Sequence, residues 1–184
     1  LANVYGGGTQ GGTTTNTTVT IEAGAVITGN VYGGAHKATV GNTADNSGTT
    51  TVNIVGGTMD DWETVEDVPW KEYMSKITKI TIEGTQNIGK NAFNGASSIQ
   101  SITIGESVTS IGDYSFKGFP LTTISLPSQL KSIGMNSFEN CLKLTEIQIP
   151  NEVTIIGEYS FKGCTSTKVY WPVSITTSSN NIFE

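Results

Sequence analysis

The chain has 184 residues, long enough for one elongated domain or two small ones. Its formal charge is −6, and all ten basic residues are lysine. Without arginine there is no bidentate fork for phosphate or guanine, which argues against nucleic-acid binding. No stretch of 18 apolar residues is present that could span a membrane.

Glycine, threonine and asparagine dominate the first fifty or so residues, and the pattern repeats. Asn3-Val4-Tyr5-Gly6-Gly7 returns as Asn30-Val31-Tyr32-Gly33-Gly34, and Thr18-Val19-Thr20-Ile21 is echoed by Thr51-Val52-Asn53-Ile54. Short β-rich blocks between Gly and Asn turns predict coils of a β-solenoid over residues 1–57. Flexible linkers seldom carry such blocks. Residues 9–16 and 37–48 read as loops. This part loosely resembles the Gly-rich repeats of bacterial surface proteins. No signal peptide is visible, and Leu1-Ala2-Asn3 already lies inside a patterned segment, so the chain is expected to be a fragment or a processed product.

Two motifs here have ordinary explanations. Gly6-x-Gly8-x-x-Gly11 matches the dinucleotide fingerprint by letter, but threonines follow it where a helix is required. His36 is the only histidine. It has no nucleophile elbow to serve, so a loop position is expected. Asn42, Asp45 and Asn46 lack the spacing of a calcium loop.

Residues 58–76 are acidic and carry Trp62 and Trp70. Asp60, Asp61, Glu63, Glu66, Asp67 and Glu72 suggest a solvated face on a capping segment. Aromatics among carboxylates also fit a sugar platform or a glycosidase pair, a reading kept beside the cap. Pro69 suits the first turn of a helix. Trp70, Tyr73, Met74 and Ile77 would then share one apolar face, predicting a short helix over the end of the stack. Val52 and Ile54 are placed to join the core of both parts.

From residue 77 onward a unit recurs every 22 or 23 residues. Its signature is Ile88-Gly89-Lys90-Asn91-Ala92-Phe93, returning at Ile111–Phe116, Ile133–Phe138 and Ile156–Phe161. Such periods predict a solenoid, because one short unit cannot bury its apolar face alone. Each unit also holds an alternating segment: 77–82, 99–104, 121–126 and 144–149. Each is expected to be a half-buried strand. Gly112, Gly134 and Gly157 are expected to release the backbone for a turn. Stacking would place Phe93, Phe116, Phe138 and Phe161 in one column, and Ala96, Phe119, Cys141 and Cys164 in another. The polar strand positions would form two exposed columns. One is Lys79, Ser101, Thr123, Glu146 and Lys168; the other is Thr81, Thr103, Ser125, Gln148 and Tyr170.

These units resemble the BspA-like leucine-rich repeat family, whose pattern is I-G-x-x-A-F-x-x-C-x-x-L-x-x-I-x-I-P-x-x-V-x-x-I. Ile133 through Ile156 fits it at nearly every position, including Cys141, Leu144, Ile147, Ile149 and Pro150. The resemblance covers about residues 50–172. Ala96 and Phe119 depart from the Cys position, and Thr167 from the framework Leu. The resemblance implies a bacterial, secreted or surface-attached adhesion-type protein without catalytic residues. Cys141 and Cys164 stand one period apart, within reach of a disulfide. Their column also accepts Ala96 and Phe119, so buried free thiols are expected.

The expected fold is mainly β with short helical turns. A Gly/Thr-rich segment (1–57) and an acidic cap (58–76) precede leucine-rich repeats of about four to five coils (77–184). The expected function is non-enzymatic: rigid display of a repeat surface to a protein partner outside the cell, with no cofactor and no metal. A carbohydrate-binding or carbohydrate-active β-helix and a self-associating spacer are the alternatives. The expected partner-binding residues are Thr123, Ser125, Glu146, Gln148, Lys168 and Tyr170, where exposed strand positions offer charges, an amide and an aromatic ring.

Overall fold

A computed structural model describes residues 4–5, 16–22, 31–32, 49–55, 59–68, 70–71, 74–173, 175, 177–178 and 181–183. The loops expected at 9–16 and 37–48, the motif at Gly6, His36 and the Asn42–Asn46 group fall wholly or almost wholly outside these residues.

Every strand pairing among the described residues is parallel, as a solenoid requires. Four strands form the largest face: β2 (Asn16–Glu22), β4 (Thr49–Val55), β5 (Ile77–Glu83) and β7 (Ser101–Ile104). The internal repeats set the register. Val4 pairs with Val31 where β1 (Val4–Tyr5) meets β3 (Val31–Tyr32). Thr18, Val19, Thr20 and Ile21 pair with Thr51, Val52, Asn53 and Ile54. Strand β4 then pairs with β5, and Val52 and Ile54 lie in the same apolar core as the later coils.

A second face joins five two-residue strands. These are β6 (Asn87–Ile88), β8 (Ser110–Ile111), β9 (Ser132–Ile133), β11 (Ile155–Ile156) and β13 (Thr177–Ser178). Their buried members Ile88, Ile111, Ile133 and Ile156 form one continuous column.

The third face of each coil is an irregular turn with strict geometry. Asn91, Phe93 and Gly95 donate backbone N–H groups to the carbonyls of Asp113, Ser115 and Lys117 in the next coil, at 2.9, 2.9 and 3.1 Å. Tyr114, Phe116 and Gly118 donate equally to Met135, Ser137 and Glu139. Every second N–H is thus aimed along the stack. A left-handed residue opens and closes each turn: Asn91 at φ 61° and Gly95 at 82°, Tyr114 at 58° and Gly118 at 74°. Asparagine and glycine tolerate that region; tyrosine in it is strained.

Between the faces the phenylalanines stack as expected. Ring centroids run 5.8 Å from Phe93 to Phe116, 5.5 Å to Phe138 and 5.4 Å to Phe161. Phe183 extends the column a further 5.9 Å. Trp70 closes the opposite end, stacked 5.7 Å from Phe93, with its indole N–H donating to the Ala92 carbonyl at 2.8 Å. The neighbouring column of Ala96, Phe119, Cys141 and Cys164 is buried throughout.

The structure corrects three local expectations. The expected helix over 70–77 is met only in part: residues 69, 72 and 73 lie outside the described residues, Lys71 has 3-10 geometry, Lys71 and Met74 close i→i+3 turns on Val68 and Lys71, and Ile77 belongs to β5. The indole anchor on Ala92 and recruitment of Ile77 by β4 outweigh helical periodicity. A complete 3-10 turn among the described residues lies earlier, at Val65–Asp67, capped by Thr64, whose side chain accepts from the Glu66 N–H.

Gly112, Gly134 and Gly157 are also not turn residues. A Cβ on Gly134 would lie 2.6 Å from the Asp113 nitrogen and the Gly112 carbonyl carbon, and one on Gly157 2.4 Å from the Met135 nitrogen. They are glycines because two coils touch there through their backbones.

The third difference is in the coil after Phe116. Residues 121–126 make no regular strand; only Thr123 forms a single parallel bridge, to Glu146. Six positions lead from Phe93 to Ile99 and from Phe138 to Leu144, but five from Phe116 to Leu121. A coil one residue short cannot keep both its Phe and its framework leucine in column, and Pro120 removes a donor in the same stretch. Leu121 is accordingly half-buried where Ile99 and Leu144 are buried.

Candidate functional site

The exposed strand positions follow the period-two rule, since a strand buried on one side must present its alternate residues outward. Lys79 pairs with Ser101 and Thr81 with Thr103. Further along, β10 (Glu146–Gln148) and β12 (Lys168–Tyr170) pair Glu146 with Lys168 and Gln148 with Tyr170. Ile147 between them is buried. Both polar columns therefore exist, but not as one flat sheet. The ladder stops at β7 and resumes at β10, with the short coil between.

That interruption leaves a groove of about 830 Å³. It runs between the strand face and the loops that follow the strands. Thr123, Ser125, Glu146, Gln148 and Tyr170 line it, so five of the six expected binding residues share one concavity; Lys168 does not line it. Lys168 instead places its ammonium 4.7 Å from the centre of the Tyr170 ring. A hydrogen bond to the Tyr170 side chain, with the Glu146 carboxylate nearby, raises its pKa above the ordinary lysine value. Tyr170 is 39% exposed, so this aromatic is available at the groove end.

The loop side of the groove escaped the sequence reading. Glu106, Ser128, Gln129, Asn151 and Glu152 contribute there. Glu106 accepts from both the Ser128 hydroxyl, at 2.7 Å, and the Ser128 N–H, at 2.8 Å. Those bonds hold its carboxyl below the usual glutamate range. The signal was present in sequence as one position after each strand: Glu106, Ser128 and Asn151 fall 22 and 23 residues apart.

The acidic segment has a structural occupation. The Asp61 carboxylate accepts from the Lys90 N–H at 2.6 Å, and Glu63 pairs with the Lys90 ammonium at 2.8 Å. Glu66 pairs with Lys71 at 2.7 Å, and Asp67 closes the capping box with Thr64. The Glu63 contact raises the Lys90 pKa. Trp70 is buried in the column and Trp62 meets it edge-on at 5.1 Å, so the two indoles form no open sugar platform.

Cys141 and Cys164 are free and buried. Their thiols donate to the carbonyls of Phe116 and Phe138, at 3.3 and 3.0 Å. The adjacent Cys164 thiol and burial push the Cys141 thiol well up, away from the reactive thiolate. Among the described residues, no three His, Cys, Asp or Glu side chains gather as metal ligands. No helix among them is long and apolar enough to cross a membrane.

Parallel coils of 22 to 23 residues, an unbroken Phe column and short paired strands define a leucine-rich repeat solenoid. The chain belongs to the BspA type leucine-rich repeat family, whose model matches six copies over residues 71–184. A leucine-rich repeat protein of T. pallidum has a similar fold: its TM-score is 0.58 at 22% identity, over 68% of this chain and 60% of that one. A leucine-rich repeat protein from Eubacterium ventriosum gives a TM-score of 0.49 at 24% identity, over 69% of this chain and 38% of that one. The chain thus spans about 60% or less of the length of these relatives. No curated protein matches the sequence. Repeat families of this kind generally mediate protein–protein interaction and are generally non-catalytic.

Proposed function

We propose that this chain is a non-enzymatic, adhesion-type module of a bacterial surface or secreted protein. It holds a protein partner against its strand face, at the groove of Thr123, Ser125, Glu146, Gln148 and Tyr170, with Lys168 at the edge. The observation that carries this reading is the groove itself. It gathers polar and aromatic side chains from consecutive coils on a preformed scaffold. Residues held by coils on either side lose little freedom on binding, so less of the contact energy is offset by ordering. The family's usual setting supports a place at the surface, and the general role of its repeats supports a protein partner.

Gln148→Ala with Tyr170→Ala tests it. Both side chains are exposed, so the double variant should keep the melting temperature of the parent. Its binding to immobilised extracellular matrix proteins should fall about tenfold or more, the scale of losing one aromatic anchor. Unchanged binding to a matrix protein that the parent retains would move the site off this face. Retention of glycans on an array, with no matrix protein bound, would favour the carbohydrate alternative.

A further inference from the structure

The groove is not electrically neutral. Glu106, Glu146 and Glu152 all line it, and no lysine does. All three are exposed: Glu106 enters from the loop after β7, and Glu146 and Glu152 enter two coils on, from β10 and the loop that follows it. Lys168 pairs in register with Glu146, but its ammonium is turned over the Tyr170 ring. Glu106 is fixed by its two bonds from Ser128 and remains a carboxylate well below neutral pH. Between the acids lie hydroxyls and an amide (Thr123, Ser125, Gln148) above the half-buried Leu126 and Pro150.

Resting on the interaction-module reading above, we propose that the groove takes an extended, lysine- or arginine-bearing segment of a partner protein. Coils repeat at about 4.8 Å, so Glu106 stands about 10 Å along the stack from the coil that carries Glu146 and Glu152. An extended peptide advances about 3.3 Å per residue and places every second side chain on one side. Basic residues at alternate positions therefore repeat about every 6.6 Å, so two of them, on long flexible side chains, can reach the acids at the two ends of this span. The hydroxyls and the Gln148 amide supply partners for the peptide backbone between the charges. An acidic ligand meets only repulsion here, and a neutral sugar leaves the carboxylates unmatched.

Fluorescence anisotropy with an eight-residue peptide alternating threonine and lysine is the test, against twins in which glutamate or glutamine replaces lysine. The lysine peptide is expected to bind the parent protein most tightly and the glutamate twin not at all. Raising salt from about 0.1 to about 1 M should weaken it strongly, as the screening length falls from about 10 to about 3 Å. Glu146→Gln with Glu152→Gln should cost about fivefold, the scale of two partly exposed ion pairs. Asp60→Asn with Glu158→Gln removes the same charge away from the groove and should leave binding unchanged. Equal affinity for the lysine and glutamine peptides overturns the proposal, as does an equal loss in both double variants. Neither result touches the interaction-module reading, which depends on the Gln148/Tyr170 variant and matrix proteins.

Discussion

The turn side and the strand side of this solenoid are built from the same coils, yet they differ in continuity. On the turn side, backbone donors at Asn91, Phe93 and Gly95 reach the next coil, and the pattern continues through Phe161 to Ile182. The Phe column behind them is unbroken from Trp70 to Phe183. On the strand side the ladder stops after β7, and a groove opens where the short coil passes. One missing residue before Leu121 is absorbed entirely on that side. The difference separates two duties: the turn side fixes the stack, and the strand side is free to vary in shape and charge.

Removing a ring from the turn side should break this contrast most severely. Phe116 and Phe138 are at most 1% exposed, and Phe→Ala in such a core costs about 3–5 kcal/mol. Lys117→Ala next door loses an ion pair to Glu139 at 2.8 Å and a cation–π contact with the Tyr114 ring at 5.6 Å, and should cost about 1 kcal/mol, well below the Phe variants. Thermal melts of the three variants check the ranking. A Phe116→Ala protein as stable as Lys117→Ala would mean the column does not carry the stack.

The two kinds of glycine should rank next. Gly134→Ala forces a Cβ within 2.6 Å of the preceding coil's backbone and should cost about 1–3 kcal/mol. Gly118 has open space around it, so Gly118→Ala pays only for its left-handed φ of 74°, about 1 kcal/mol. Urea unfolding should therefore show the larger drop for Gly134→Ala. The opposite order would return the Gly112 column to its sequence-based role as a turn.

The cysteines sharpen the comparison chemically. Both should react with a thiol reagent in denaturant without reductant, and both only slowly in the native protein, where they are buried. Reaction only after adding a reductant would show instead that they form a disulfide.

The smallest effect belongs to the serines beside the Phe column. The hydroxyls of Ser115, Ser137 and Ser160 are buried without a hydrogen-bond partner. An unpaired buried hydroxyl costs about 1–3 kcal/mol, while Ala92 occupies the same position in the first coil. Ser137→Ala should thus leave stability unchanged or raise it slightly, by less than about 1 kcal/mol. A clear loss in a thermal melt would mean that the hydroxyl has a partner after all.

Most of the stack was legible in the sequence because its signals are local and repeated. Alternation in 77–82 and 144–149 gave the outward columns, and the echo of Thr18–Ile21 in Thr51–Ile54 gave a register that the pairing reproduces. What escaped depended on contacts between coils. The spacing from Phe116 to Leu121 can be counted, but its effect on the ladder appears only when neighbouring coils are in place. The face of Trp70, Met74 and Ile77 is periodic, yet Ile77 had a competing partner in β4. Phe183 lies 22 residues after Phe161, but Ile182 replaces the small residue that marked the other turns. Five of the six residues expected to bind fell together in the groove; its loop-borne acids Glu106 and Glu152 lay outside the strand pattern used to choose them.

The direction of the backbone bonds on the turn side has a mechanical consequence. Each N–H of that ladder points from one coil to the next, along the stack. Tension applied at the two ends would not shear many bonds at once. It would load the terminal coil first, strip its few contacts and pass to the next. A protein tethered at one end and gripped at the other would lengthen in steps of one coil and yield at low force. Such a tether dissipates a sudden pull gradually while the inner coils keep their shape.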